Sequence, residues 1–365
     1  MSFIEHFSII EDPRKNINVK HDFIDILFLT VSAVISGAEG WQDIEDFGHD
    51  ALDWLRLHRP FENGIPVDDT IARVIRVISP KQFNQAFINW VNEVRQDNGK
   101  EQIAIDGKTL RHSFDGEKHN ALHSITAWSK SNGLILAQAR SEGKKNENTS
   151  VLDMLDTLNV SGAIVSADAM NTQKKIVDKI LKNDGDYVLC VKNNHKKLKE
   201  EIAAYFHKIT RDTPQYIQCY EEVDGGHGRI ETRRYRQLRM NEWIEEGKNW
   251  QGIQSVIEVT RTRIMKEKEQ RETVYYISSL MPNIKQISDA IRGHWEVENK
   301  AHWVLDVTFK EDDCRIRKED GAENVGIIRR FALNLARLHP SQISMRRKLK
   351  RAARVDKFRT EIIFG

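Results

Sequence analysis

Cysteine, long apolar runs and an excess of either charge are what this 365-residue chain has least of. Its three cysteines, Cys190, Cys219 and Cys314, are odd in number and far apart, which excludes a disulfide framework and a paired zinc-ligand spacing. That usage fits a reducing cytoplasm. The most apolar stretch, Phe23 to Ser36, is too short to span a bilayer and carries Asp25, so it reads as a core helix and no membrane segment is expected. The opening Met1-Ser-Phe-Ile-Glu-His lacks the charged-then-apolar order of an export signal. A formal net charge of only +2 gives no bulk attraction to phosphate, so any nucleic-acid role must rest on where the charges fall. With 39% hydrophobic and 30% charged residues, and neither repeats nor low-complexity tracts, the chain is a globular protein of more than one unit.

What is present changes character along the chain. From about Asp22 to Arg95 apolar residues recur at helical spacing, with helix starts at Asp69-Thr70 and Ser79-Pro80. Asp97 to Lys100 reads as a linker. Strand patterns follow over 103–106, 121–128 and 134–140, the last two joined by a tight turn at Ser131-Asn-Gly133. A helix over 149–158, a strand over 163–167, a helix over 172–181 and a strand over 187–191 complete the order of an α/β ribonuclease-H-like mixed sheet, in which the first and fourth strands are neighbours. A further set of strand-like runs between 209 and 277 reads as a β-rich insertion. The expected units are therefore an all-α N-terminal domain (1–98), a ribonuclease-H-like domain (99–208 and 278–340), the β insertion (209–277) and a basic C-terminal tail (341–365).

Three acids stand in contexts that suit metal-binding carboxylates. Asp106 and Asp168 each end a short apolar run, and Glu298 lies in the helical stretch Ile291-Arg-Gly-His-Trp-Glu-Val-Glu298. Burying a lone carboxylate costs several kcal/mol, on the order of one desolvated ion, so each needs a partner. Taken singly, Asp106 reads equally as a structural ion pair with Lys108 or Arg111, and Asp168 as a cap for the turn holding Asn171. At 3.6 residues per turn, Ile291, Trp295, Glu298 and His302 share one face, which points Glu298 toward the core and leaves Asp306 in reserve. An all-oxygen carboxylate set suits Mg2+, with Mn2+ as substitute; His294 and His302 lack zinc-ligand partners and are expected near the site or on phosphate.

Basic and small polar residues gather near the acids: Lys108, Arg111, Lys144, Lys145, Lys192, Asn193, Asn194, His195 and Arg292. Such residues at strand ends read together as a phosphate-lined rim. Gly225-Gly-His-Gly-Arg229 precedes a strand and lacks a Lys-Ser/Thr pair, so it reads as a tight turn offering His227 and Arg229 to DNA, not as a nucleotide loop. The segment Met345 to Arg359 holds a single acid, and its Arg346, Arg347 and Lys348 read equally as phosphate contacts or as a solvated helix.

With these residues placed, the chain resembles bacterial insertion-sequence transposases of the DDE type, in particular the H-repeat-associated (Rhs-linked) group. The resemblance runs over Gly37-Ala-Glu-Gly-Trp-Gln-Asp-Ile-Glu-Asp-Phe-Gly48, Ile103-Ala-Ile-Asp-Gly-Lys-Thr-Leu-Arg111, Asp186-Tyr-Val-Leu-Cys-Val-Lys-Asn-Asn194, Gly226-His-Gly-Arg-Ile-Glu-Thr-Arg233 and His294-Trp-Glu-Val-Glu-Asn299 through Asp312. It implies a metal triad of Asp106, Asp168 and Glu298, two-metal cleavage and joining of double-stranded DNA, and a homodimer acting on element ends in the cytoplasm, at the nucleoid. The tyrosine, arginine and lysine that the wider superfamily carries beside its glutamate are Ile291, His294 and Leu305 here, with Arg292 and Lys300 the nearby cations. A nuclease that cuts without joining, and a DNA-binding descendant without catalysis, are the alternatives.

Overall fold

The computed structural model describes residues 3–14, 19–96, 100–110, 113, 122–141, 146–226, 229–265 and 268–365. Arg111, Lys144, Lys145, His227 and most of the expected linker at 97–100 lie outside these residues, and Arg229 is described through its backbone alone.

The N-terminal region is helical: α1 (Phe3–Phe7), α2 (Phe23–Ile35), α3 (Trp41–Asp50), α4 (Leu52–Arg56), α5 (Asp68–Val77) and α6 (Pro80–Val94). Almost every residue of α2 is buried, which is why it is apolar all round and not along one stripe. Asp22 caps it by accepting from the Asp25 N–H at 2.9 Å. Buried Asp25 is in turn held by Arg59 at 2.8 Å and by the Phe61 N–H at 3.0 Å. Pro80 opens α6 behind the Ser79 cap, where its missing N–H costs nothing.

Nine strands form one sheet in the order β3-β2-β1-β4-β5-β9-β8-β7-β6. They are β1 (Gln102–Thr109), β2 (His123–Ser129), β3 (Leu134–Ser141), β4 (Ile164–Ala167), β5 (Asp186–Val191), β6 (Gln218–Gly226), β7 (Arg229–Arg239), β8 (Ser255–Met265) and β9 (Lys268–Ser278). β1 runs antiparallel to β2 and parallel to β4, and β4 runs parallel to β5. β9 then joins β5 antiparallel, so the strands of 209–277 lengthen the same sheet instead of standing apart from it. Helices α7 (Glu147–Thr157), α8 (Lys174–Lys182) and α9 (Lys196–Asp212) connect the strands.

After β9 come α10 (Ile284–His294), a π-helical turn (Val297–His302), α11 (Trp303–Val307), α12 (Gly321–Leu338), α13 (Met345–Ala352) and α14 (Asp356–Phe364). α10 packs through Ile287, Ala290 and Ile291 on a small core of Ile164, Val188, Ile257 and Val259. The larger core is continuous from α2, α5 and α6 through α12 to the other face of the sheet. Two buried asparagines of α12 tie these parts together. Asn324 donates to the carbonyls of Ile75 and Ile78, and Asn334 both donates to and accepts from the Ile135 backbone. No helix among the described residues is long and apolar enough to cross a membrane.

Candidate active site

Alternation along strands selects which side chains share a face. Gln102 and Asp106 on β1 and Ser166 on β4 all turn toward α10, where Gln102 donates to Ser166 Oγ at 3.0 Å and to the Ala290 carbonyl. Ile105 and Ala167 are the last paired residues of β1 and β4. Asp106 and Asp168 each follow that pair directly, so adjacent parallel strands carry the two carboxylates side by side.

Glu298 reaches them from the π turn. The sequence phasing that groups Trp295, Glu298 and His302 holds in part, but the face looks into a cleft and not into the core. Trp295 is 45% exposed and the Glu298 side chain 58%, whereas His302 is buried. The wider turn continues the helix past its first phase, and π turns of this kind recur at functional sites. Asp106, Asp168, His294, Trp295 and Glu298 line one open cleft of about 410 Å3, which Lys192, Arg261 and Arg263 also line.

The electrostatics follow from this crowding. Burial pushes the Asp106 carboxyl above its usual range; His302 and His294 oppose that, and the Asp168 and Glu298 charges add to it. His302 Nδ1 lies 3.5 Å from Asp106 Oδ2 and 3.3 Å from Glu298 Oε2, and its interaction with Glu298 holds that carboxyl below its usual range. Asp106, Glu298 and His302 each offer a ligand atom within 4.8 Å of the others. Burial lowers the His294 pKa, and its Nδ1 sits 3.2 Å from Ser166 Oγ. The Cys190 thiol, also in the cleft, is pushed up to about 11, chiefly by burial, and stays protonated.

Asp168 is oriented from behind by a buried polar chain that sequence reasoning missed. Asn171 donates to Asp168 Oδ1 through its N–H at 3.0 Å and its amide at 3.1 Å; the same amide donates to Glu147 Oε1 at 2.6 Å. Glu147 Oε2 lies 2.8 Å from His123 Nε2, and His123 Nδ1 lies 3.0 Å from Thr109 Oγ1. The Asp168/Asn171 pair was visible in the sequence as a capped turn. Glu147 and His123 gave no local signal, because their partners lie on other elements.

Several expected phosphate contacts are placed otherwise. The Lys108 ammonium is bound to Asp306, with Glu311 at 3.4 Å and Asp312 at 3.3 Å, so it neutralises acids instead of facing the cleft, and Asp306 is engaged with it. Lys348 is buried and donates to the Ala336 and His339 carbonyls at 2.7 and 2.8 Å. The Asn194 amide is bound to the Ala169 carbonyl, and Arg292 pairs with Asp224 at 2.7 Å. Arg346, Arg347 and Lys192 are exposed. The structure adds Arg261 and Arg263 of β8, which pair with buried Glu231 of β7 at 3.5 and 2.6 Å; Arg261 also lies over the Trp295 ring at 5.4 Å. Their alternate spacing was the available sequence signal.

Comparison with known proteins identifies the family. The family described as "Transposase DDE domain" matches residues 97–335, and "DDE_Tnp_1-associated" matches 4–91. The "H repeat-associated putative transposase YhhI" of Escherichia coli (strain K12) is 42% identical over 99% of this chain and 97% of its own length. YbfD of the same strain, described in the same words, is 44% identical over 63% of this chain and 91% of its own. "Inactive transposase YbfQ" of that strain is 61% identical over 20% of this chain and 86% of its own. A piggyBac transposase synaptic complex with hairpin DNA matches at 10% identity and a TM-score of 0.43, covering 100% of this chain and 79% of that one, a likeness too slight to establish a shared fold. Matched over more than half its length by the transposase family and over nearly all of it by a full-length relative, the chain belongs to the DDE transposase family, with H repeat-associated proteins as its relatives.

Proposed function

We propose that the chain is a DNA transposase in which Asp106, Asp168 and Glu298 hold a pair of divalent ions, Mg2+ with Mn2+ as substitute, for cleavage and transfer of DNA strands. The observation that carries this reading is the meeting of three carboxylates, from β1, the end of β4 and the π turn, in one open cleft also lined by Lys192, Arg261 and Arg263. The donor set fits such ions: carboxylates leave positions for water and phosphate, and the Nδ1 of buried His302 lies 3.5 Å from Asp106 and 3.3 Å from Glu298. When bound, such a pair supplies Lewis-acid activation of the attacking and leaving oxygens of a phosphodiester.

The protein's own part is placement. Asn171 and Glu147 keep Asp168 turned into the cleft, and Ser166 and Gln102 steady His294. Lys192, Arg261 and Arg263, with Arg346 and Arg347 on α13, supply phosphate contacts that fix double-stranded DNA in register without reading its sequence. Lys108 and Lys348 are outside this set, since protein groups already hold their ammonium ions. The order β3-β2-β1-β4-β5, with β1, β4 and β5 parallel, supports a ribonuclease-H-like core. The units 1–98, 99–208 with 278–340, 209–277 and 341–365 are proposed with it, as is a homodimer on paired element ends.

Incubation of the purified protein with end-containing DNA and Mg2+ is the test. Joined products support transposition, cut ends alone support a nuclease without strand transfer, and binding without cleavage supports an inactive DNA-binding descendant. Asp106→Asn, Asp168→Asn and Glu298→Gln are each expected to abolish cleavage while DNA retention persists. If Glu298→Gln cuts normally and Asp306→Asn does not, the third acid is wrongly assigned.

A further inference from the structure

We infer that His302 is itself a metal ligand, forming with Asp106 and Glu298 a mixed oxygen and nitrogen site. The inference rests on the metal-dependent reading above and specifies one of its two ion positions.

The geometry at His302 is poorly explained by hydrogen bonding alone. Its ring is 2% exposed, its Nε2 has no partner, and its Nδ1 faces two carboxylate oxygens at 3.3 and 3.5 Å. One N–H cannot point at both oxygens, and both distances exceed the roughly 2.7–2.9 Å of a charge-assisted bond. Ligand atoms at right angles around an ion at about 2.1 Å lie roughly 3 Å apart, close to these spacings.

Among the described residues neither Asp106 nor Glu298 has a lysine or arginine within ion-pair distance, and the nearby ammonium of Lys108 is committed to Asp306, Glu311 and Asp312. His294 is the other imidazole near Asp106; its Nδ1 is on Ser166, which leaves its Nε2 for a metal, so the experiment below separates the two rings. Glu298 and His302 are four residues apart in one π turn, which presents both donors from a single rigid element.

The test is electron spin echo spectroscopy of Mn2+ bound to the full-length protein, prepared with natural-abundance and with 15N-labelled histidine. Nitrogen modulation that changes with the label, persists in His294→Gln and disappears in His302→Gln is the expected result. If His302→Gln does not fold, coupling that persists in His294→Gln and is lost with Mn2+ binding in Asp106→Asn still assigns the ring, since His302 is then the imidazole left beside Asp106 among the described residues. Bound Mn2+ with no nitrogen coupling, or coupling lost in His294→Gln, overturns the role of His302 and leaves the carboxylate site standing. Mn2+ that fails to bind, or binds unchanged in Asp106→Asn, overturns the site as a whole.

Discussion

Gly107 carries a constraint that its neighbour Asp106 does not. A Cβ at this position would lie 2.5 Å from His123 Nε2 and 2.7 Å from Glu147 Oε1, and both groups are buried and bonded to each other. Gly107→Ala is therefore expected to destabilise the protein by about 1–3 kcal/mol, as overpacking of a tight site does, and to weaken cleavage by disturbing β1 beside Asp106. Urea denaturation checks it, and an unchanged midpoint would show that the network yields freely. At this scale the sequence revealed the acids but not their supports. Strand-end carboxylates are a local pattern, whereas Lys108 and Lys348 looked like free cations until acids and carbonyls from distant segments closed on them.

The elements show the same division. Helix and strand periods were legible from 22 onward, and α5, α6 and β1 to β5 lie where the patterns put them to within a few residues. The helix bearing Glu298 was legible as a helix but not as one that widens into a π turn, because side-chain periodicity does not record a single extra residue in the ladder. The start of α7 matters for a reason equally invisible locally: its Glu147 joins β2 through His123 to the turn after β4 through Asn171. Glu147→Ala is expected to cost about 1–3 kcal/mol for each buried partner left unsatisfied, with Glu147→Gln costing less. Thermal melts decide it; an alanine variant as stable as the parent would mean that the chain of bonds is incidental.

For the whole molecule, the decisive junction is α12, which meets the N-terminal helices on one side and the sheet on the other. There Arg330 and Glu311 are both fully buried and bonded at 2.5 Å. Burial alone would raise the Glu311 pKa, but Arg330, Lys108 and Arg329 outweigh it and hold the carboxyl at about 2. A folded value below the ordinary one stabilises the protein above pH about 4.5, and that contribution is lost as pH falls toward 2. Stability measured across this window should fall more steeply in the parent than in Glu311→Gln. Arg330→Met, which strands a buried charge, is expected to cost about 3–5 kcal/mol at neutral pH, and the double change Glu311→Met with Arg330→Met to recover part of it. A flat acid limb in the parent protein would remove the argument.

The sequence alone determined which segments are helices and strands, and which carboxylates end buried strands, because those properties repeat every two or 3.6 residues and need no distant partner. The tertiary structure alone decided that β6 to β9 extend the main sheet and that the N-terminal helices share its core. It also decided which cations face the cleft and that His302 stands beside Asp106 and Glu298. Those outcomes depend on strand pairing and charge neutralisation between residues far apart in the chain, and no local period encodes them.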